Sequence, residues 1–553
     1  KVVLFIDGQE MNESLYSTLQ FGNHYPIDHI ERIEIIRGPG SALHGGFAAY
    51  AVINIITRTP KNGRELSATA YSSRTAEAAA RQSMGLYLGQ NFSKGSYAVK
   101  INGSETQRSH REYRDVYGGS YDMRNNSRIR NLFLNAGGQI GGLQLRLLSD
   151  NYTLQSRDEY VESAGSPHLM QFTQQSFEAK YEWTKNEKLK IIPRFRFSYQ
   201  NPWSTPKKYL DEDPEPFRIN SLGYLASING SYNAGPKLNL SGGGSWQLDH
   251  SRKMLEGEVF QTTGTSTLIN ENAAVFGQLL YAAAWANLIA GVRFNFNRRY
   301  ENAIVPRLGL TREFRHFHFK ALYSRAFRAP STQNIDLSEN IQPEYTDVYE
   351  LEGGVKISDA AYLTLNAFQI ISSDPIVYFV DTVTNTDAYT NLSSSGTRGL
   401  ELIFQYRRNR LGLDLNGSYY HARDGAGLGL YQVPGEDGIH LGLATYKANA
   451  AVRYAISSSL LIGLQYTWLS SRYGISAVDE TTEAPVYTRY PSMNLVNAHL
   501  DYRFRKLKGL SVRFSVRNIL DEEELFIQPY NSQHAPLPGM DREFQLRISY
   551  QNF

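Results

Sequence analysis

From about Arg64 to the end of the chain, apolar and polar residues alternate one by one in segment after segment. In "LSVRFSVR", Leu510, Val512, Phe514 and Val516 fall on one side, and Ser511, Arg513, Ser515 and Arg517 on the other. That is the period-two signature of a strand with two unlike faces. "VNAHLDYRFR" from Val496, "LGLDLNGSYY" from Leu411 and "GLELIFQY" from Gly399 repeat it, and helical spacing fits none of them. The joints between segments alternate in length. Short ones fall at 93–96, 141–142, 185–188, 234–236, 358–360 and 506–509. Long ones fall near 107–127, 155–171, 201–219, 251–267, 328–345, 373–395, 422–442, 471–491 and 521–541. The pattern predicts about 22 antiparallel strands, an even number with tight turns at one rim and long loops at the other, as in a bacterial outer-membrane barrel. Closure would also remove the sheet edges that lipid cannot satisfy.

Residues 1–62 break the alternation. They mix strand-like runs with the polar stretch "NESLYSTLQFGNHYPID" and read as a small separate α/β element, leaving 63–553 for the barrel. The start, "KVVLFIDGQE", has no cationic leader or small-residue cleavage site and reads as a strand entered midway, so preceding sequence is expected.

Composition narrows the classes. No run of about 18 apolar residues offers a transmembrane helix, and a mean hydropathy of -0.42 is compatible with barrel strands, whose two faces average out. The 57 basic and 54 acidic residues give a net charge of +3, no field for nucleic acid. There is no cysteine, which rules out disulfides and thiolate metal sites.

Catalytic motifs are lacking. "RGPGSALHGG" (37–46) has the outline of a phosphate-cradling loop, but no lysine and hydroxyl follow its glycines as a Walker loop requires. No His-Glu-x-x-His, Gly-x-Ser-x-Gly or paired-cysteine motif occurs. The reading is therefore of a protein that is not an enzyme.

"VVLFIDGQEMN", followed by "IERIEIIRGPGSALHGG" and "AVINIITR", resembles the C-terminal half of the plug of TonB-dependent outer-membrane receptors. "FRAPS" (327–331), "YELEGGVK" (349–356), "GTRGLELIFQY" (396–406) and "RNILDEEELF" (517–526) match marks of the barrel. The resemblance implies a 22-stranded barrel occluded by a plug at 1–62. It implies active uptake of a scarce, large ligand of the siderophore-iron, cobalamin or haem class. The inner-membrane TonB–ExbB–ExbD complex would drive it through a box that, like the first plug half, is not found in these residues. It also admits a surface lipoprotein as partner. A passive porin or adhesin would have no use for a plug signature, and an outer-membrane hydrolase needs a catalytic group that cannot be assembled here.

Site candidates follow. Arg37, Gly38, Pro39 and Gly40 form the plug's signature turn, the glycines free to take positive φ and the proline fixing its own. By resemblance Arg37 is locked to barrel carboxylates at Glu352 and Glu401, and alternation supports Glu401, whose neighbours Leu400 and Leu402 would face lipid. The other reading leaves all three solvated in a wet lumen. His44 reads as a packing variant. The stretch 12–27 would form a plug apex, with Tyr16, Phe21, Asn23, His24 and Tyr25 as candidate ligand contacts beside Trp203, His110 and His168. The three histidines keep haem in view, although the loop after "FRAPS" has none. Asp211, Glu212, Asp213 and Glu215 could hold calcium or form a solvated acidic loop; no cofactor is otherwise required. Finally, Phe544, Leu546, Ile548 and Tyr550 share one parity and Phe553 the other, so a bulge or fraying near Asn552 is expected.

Overall fold

The computed structural model describes residues 2–19, 24–38, 50–61, 63–156, 168–210, 216–381, 386–423, 431–527 and 535–552. From Arg64 the chain builds a closed antiparallel barrel of 22 strands, in which His168–Tyr181 and Trp183–Lys185 are one strand interrupted at Glu182. Consecutive strands pair one with the next. The ring closes where Glu543–Asn552 meets Arg64–Arg74, from Phe544↔Arg74 to Asn552↔Leu66 without a break in register. The expected bulge near Asn552 is therefore corrected: the ladder runs straight to Asn552, and Phe553 lies outside the described residues.

Alternation sorts the two faces as the sequence predicts. Leu400 and Leu402 are exposed to lipid while Glu401 between them turns inward. One rim carries tight turns, such as 93–94 and 141–142, and beside them exposed aromatics face outward: Tyr97, Tyr181, Trp183, Tyr281, Trp285 and Tyr502. An aromatic belt of this kind marks a membrane boundary, and short turns place it on the periplasmic side. Two outer connections, 75–78 and 298–302, are as short as inner turns, so loop length alone could not assign them.

The plug is a four-stranded sheet, β1 (Val2–Ile6), β2 (Gln9–Glu10), β3 (Ile30–Arg37) and β4 (Ala51–Thr57), in the order β2-β1-β4-β3. "IDGQE" makes the β1–β2 hairpin because Asp7 and Gly8 both take positive φ, 51° and 85°, the mirror-image two-residue turn that Asp-Gly favours. β1 and β4 run parallel, Val2↔Ala51 to Ile6↔Ile55. Their buried residues Leu4, Ile6 and Ile55, with Met11, pack on Phe133 and Leu148 of the barrel wall.

The lipid-facing assignment has a direct consequence. Leu402→Arg should destabilise the folded barrel by about 2–4 kcal/mol, whereas Leu507→Arg, in an inner turn, should cost little. Urea titration of the gel-mobility difference between folded and unfolded forms reads both; equal effects would refute the assignment.

Candidate functional site

Among the described residues, a dense set of bonds ties the plug to the wall at the β1–β2 hairpin. Thr57 N and Oγ1 donate to the two oxygens of Asp7 at 2.8 and 2.6 Å. Asn135 Nδ2 donates to Asp7 Oδ2 at 3.0 Å, and the Arg146 guanidinium pairs with the same oxygen. Lys100 Nζ, fully buried, donates to Thr57 Oγ1 at 2.6 Å. Beside it Arg194 Nη2 donates to Gly8 O at 2.7 Å. Burial opposes the charge on Asp7, but Arg146, Lys100 and the Thr57 bonds outweigh it and hold the carboxyl below its ordinary pKa. Four barrel strands thus converge on one turn.

A second set of ties lies nearby. Arg547 pairs with Asp28. His29 is buried, and a Cβ placed on Gly85 of the wall would sit 3.5 Å from its Nε2. Burial, with Lys100 and Arg58 adding to it, lowers the His29 pKa to about 4.

Arg37 Nη1 donates to Glu401 Oε2 at 3.0 Å. Glu352 is a correction: among the described residues its partner is His318, at 3.0 Å, because it lies one step nearer the periplasm than the carboxylate level with the turn. That carboxylate is Glu350, which sequence reasoning missed. It is buried, takes a bond from Lys320 Nζ at 3.0 Å, and lies 3.5 Å from where a Cβ on Gly38 would stand. Gly38 takes φ 76°, as the turn was expected to require; Pro39, Gly40 and His44 lie outside the described residues. The Arg37 side chain is 61% exposed, so this pair contributes at most about 1 kcal/mol.

Toward the outside, the plug apex is shaped by Glu13. Its carboxylate accepts from the backbone N–H of Leu15 (2.6 Å), Tyr16 (3.1 Å) and Thr18 (2.8 Å), and from Thr18 Oγ1. This turn carries Leu15 into an apolar cluster with Phe260, Phe327, Ile335 and Ile341 from the outer loops and strand ends. "FRAPS" supplies the lid over it: Ser331 caps the helix Thr332–Leu337 in a capping box with Asn334. Thr332 N and Gln333 N donate to Ser14 O and Leu15 O at 3.4 and 2.9 Å.

Tyr16 meets Trp203 edge-on, with ring centroids 5.7 Å apart. Beyond Trp203 the rings continue through Phe172 (5.0 Å), Tyr152 (4.6 Å) and His24 (4.5 Å). Trp203 holds φ at 51°, a strained setting for a bulky side chain of the kind found at functional sites. The structure thus brings Tyr16 and Trp203 together, half-buried. It packs His24 against Asp150 at 3.0 Å, seats Tyr25 on His24 at 4.1 Å, and bonds His110 to Thr75 Oγ1 at 2.8 Å. His24 and His110 are only 1% and 3% exposed. His168 begins its strand at the outer rim. Phe21, Asn23 and the acidic cluster Asp211, Glu212, Asp213 and Glu215 lie outside the described residues.

The family model for the TonB-dependent receptor plug domain matches residues 1–52, and that for the TonB-dependent receptor-like β-barrel matches 63–519. The chain belongs to the TonB-dependent receptors. It is 25% identical over 580 residues to the vitamin B12 transporter BtuB of Vibrio cholerae, covering all of this chain and 84% of the relative. It is 42% identical over 62 residues to BtuB of Vibrio vulnificus, 11% of this chain and 10% of the relative. Among solved structures, a mutant ferric enterobactin receptor PfeA of Pseudomonas aeruginosa matches with TM-score 0.79 and 15% identity over 100% of this chain and 90% of that one. The siderophore receptor PirA of Acinetobacter baumannii matches with TM-score 0.77 and 16% identity over the same shares. As a family member it is an outer-membrane protein; the proteins it resembles are transporters and receptors.

These magnitudes separate the plug's attachments. Asp7→Asn should weaken plug docking by about 3 kcal/mol and Arg37→Ala by about 1 or less, read as the urea dependence of proteolysis within residues 1–62; equal shifts would refute the ranking. Acid supplies a second test. A His29 pKa near 4 when docked, against about 6.5 when released, means that only the released plug takes up this proton between those values. Docking should therefore keep its full strength above pH 6.5 and lose about 3 kcal/mol on the way down to pH 4. His29→Asn should flatten that window; an unchanged profile would refute it.

Proposed function

We propose that this receptor drives TonB-dependent uptake of a scarce, large ligand of the siderophore-iron, cobalamin or haem class, and that it favours an amphipathic ligand of low net charge, of which cobalamin is the type. The observation that carries this reading is the outward wall of the site. Tyr16 and Trp203 offer aromatic surface, with Phe217, Tyr300, Tyr345 and Tyr389 around the same cluster. Two nearby lumen-side cations are committed to carboxylates, Lys253 to Asp336 at 3.2 Å and Arg328 to Glu344 at 3.7 Å. A polyanionic ferric chelate calls for guanidinium groups held ready for it, whereas aromatic faces suit an amphipathic ligand. The whole-chain similarity to proteins named vitamin B12 transporters supports the same choice. Haem is less favoured, because imidazole must reach the iron and His24 and His110 are buried.

In mechanism, ligand seated on the Trp203 wall meets the apex that Glu13 shapes, and the apex is continuous with the Asp7 hairpin through β2. The TonB–ExbB–ExbD complex supplies the pull that frees the plug; the ties at Asp7, Asp28 and Arg37 set its resistance. Uptake of labelled cyanocobalamin, a ferric tricatecholate and haem in cells with and without TonB tests the reading. TonB-dependent uptake of cyanocobalamin, weakened about tenfold or more in apparent affinity by Trp203→Ala, is the expected result. Uptake of the tricatecholate or haem alone would overturn the ligand preference, and no TonB-dependent uptake of any would overturn the function.

A further inference from the structure

The near-neutral total charge conceals a strong axial separation. The ten inner turns, each with two residues on either side, hold fifteen lysines and arginines against three acids, Glu187, Glu313 and Asp359. The whole chain is only +3, so everything outside these turns is net negative. The basic residues crowd at "KNEK" (185–188), "RRNR" (407–410) and "RFRKLK" (503–508).

Some of these cations have structural work. Arg312 Nη1 donates to Ala284 O at 2.6 Å, Arg410 Nη1 to Ile456 O at 3.1 Å, and Arg407 pairs with Asp414. Others stand exposed at the rim: Lys94, Lys185, Lys188, Arg408, Lys506 and Lys508. Their height is fixed by the aromatic belt, since Trp183 lies two residues before Lys185 and Tyr502 four before Lys506, both on the lipid face. The continuing parity of Leu400, Leu402 and Phe404 also puts Arg408 on the lipid side.

Aromatic rings settle at the headgroup level of a bilayer, and cations just beyond them meet the phosphate layer. We propose that this inner rim is a binding belt for anionic phospholipid of the periplasmic leaflet, recognised through headgroup phosphate. Each exposed lysine or arginine near a charged leaflet adds to the attraction, which salt screens within about 10 Å. The belt fixes the barrel's height in the membrane while the plug is pulled from that same side.

Native mass spectrometry of the full chain ejected from nanodiscs of equal phosphatidylglycerol and phosphatidylethanolamine tests this. The expected result is about threefold or greater enrichment of phosphatidylglycerol on the protein, falling with added salt. Enrichment should vanish when Lys94, Lys185, Lys188, Arg408, Lys506 and Lys508 are all changed to Gln, and persist when the outer-loop pair Lys207 and Lys208 is changed instead. Heat-modifiability on gels, unchanged in both variants, keeps loss of folding apart from loss of binding. Equal retention of the two lipids, or enrichment that survives the six-fold change, would overturn the proposal. So would full displacement of the lipid by millimolar inorganic phosphate, which would assign the belt to free phosphate.

Discussion

In lipid every backbone N–H and carbonyl has to find its partner inside the protein, and the pairing of Glu543–Asn552 with Arg64–Arg74 is where that requirement is met. Without this seam the other strands would form an open sheet with two bare edges. With it, the polar residues of every strand are turned into a lumen, and a lumen of 22 strands is wide enough to need an occupant. The plug's attachments follow from that geometry: a small sheet inside is reached by side chains of the wall that point inward and by the outer loops above it.

Those attachments are graded by solvent. The Asp7 hairpin is tied where Lys100, Asn135 and Arg146 come together out of water, so losing one partner leaves a costly remainder. Arg37 and Glu401 meet in the open, where the same chemistry contributes little. The buried tie sets the closed state, and the exposed one can be made and broken at little cost. At the outer end, the backbone bonds from Thr332 and Gln333 to the apex put an outer loop and the plug in direct contact.

The sequence was informative where the signal is periodic. Alternation gave the strand faces, and put Glu401 in the lumen between Leu400 and Leu402. It failed where the answer depends on height along a tilted strand: Glu352 and Glu350 share a parity, and only the stagger of the barrel sets Glu350 beside Gly38 and leaves Glu352 to His318. The Asp7 network was hidden because its barrel members, on four strands, lie far along the chain from Asp7, although a lone lysine in "YAVKING" with inward parity was a visible hint. Two of the histidines misled because exposure was inferred from their place near the outer rim. His24 and His110 instead serve the packing there.

The central claim is that a plug closes this lumen and that its hold rests on the Asp7 hairpin. Ion conductance of the purified receptor in a planar bilayer at neutral pH, with urea added on one side, measures this most directly. The account predicts a closed barrel without urea and opening at a distinctly lower urea concentration once Arg146 is changed to Met. Free conductance in the native protein, or an Arg146→Met variant that opens at the native urea concentration, would contradict it.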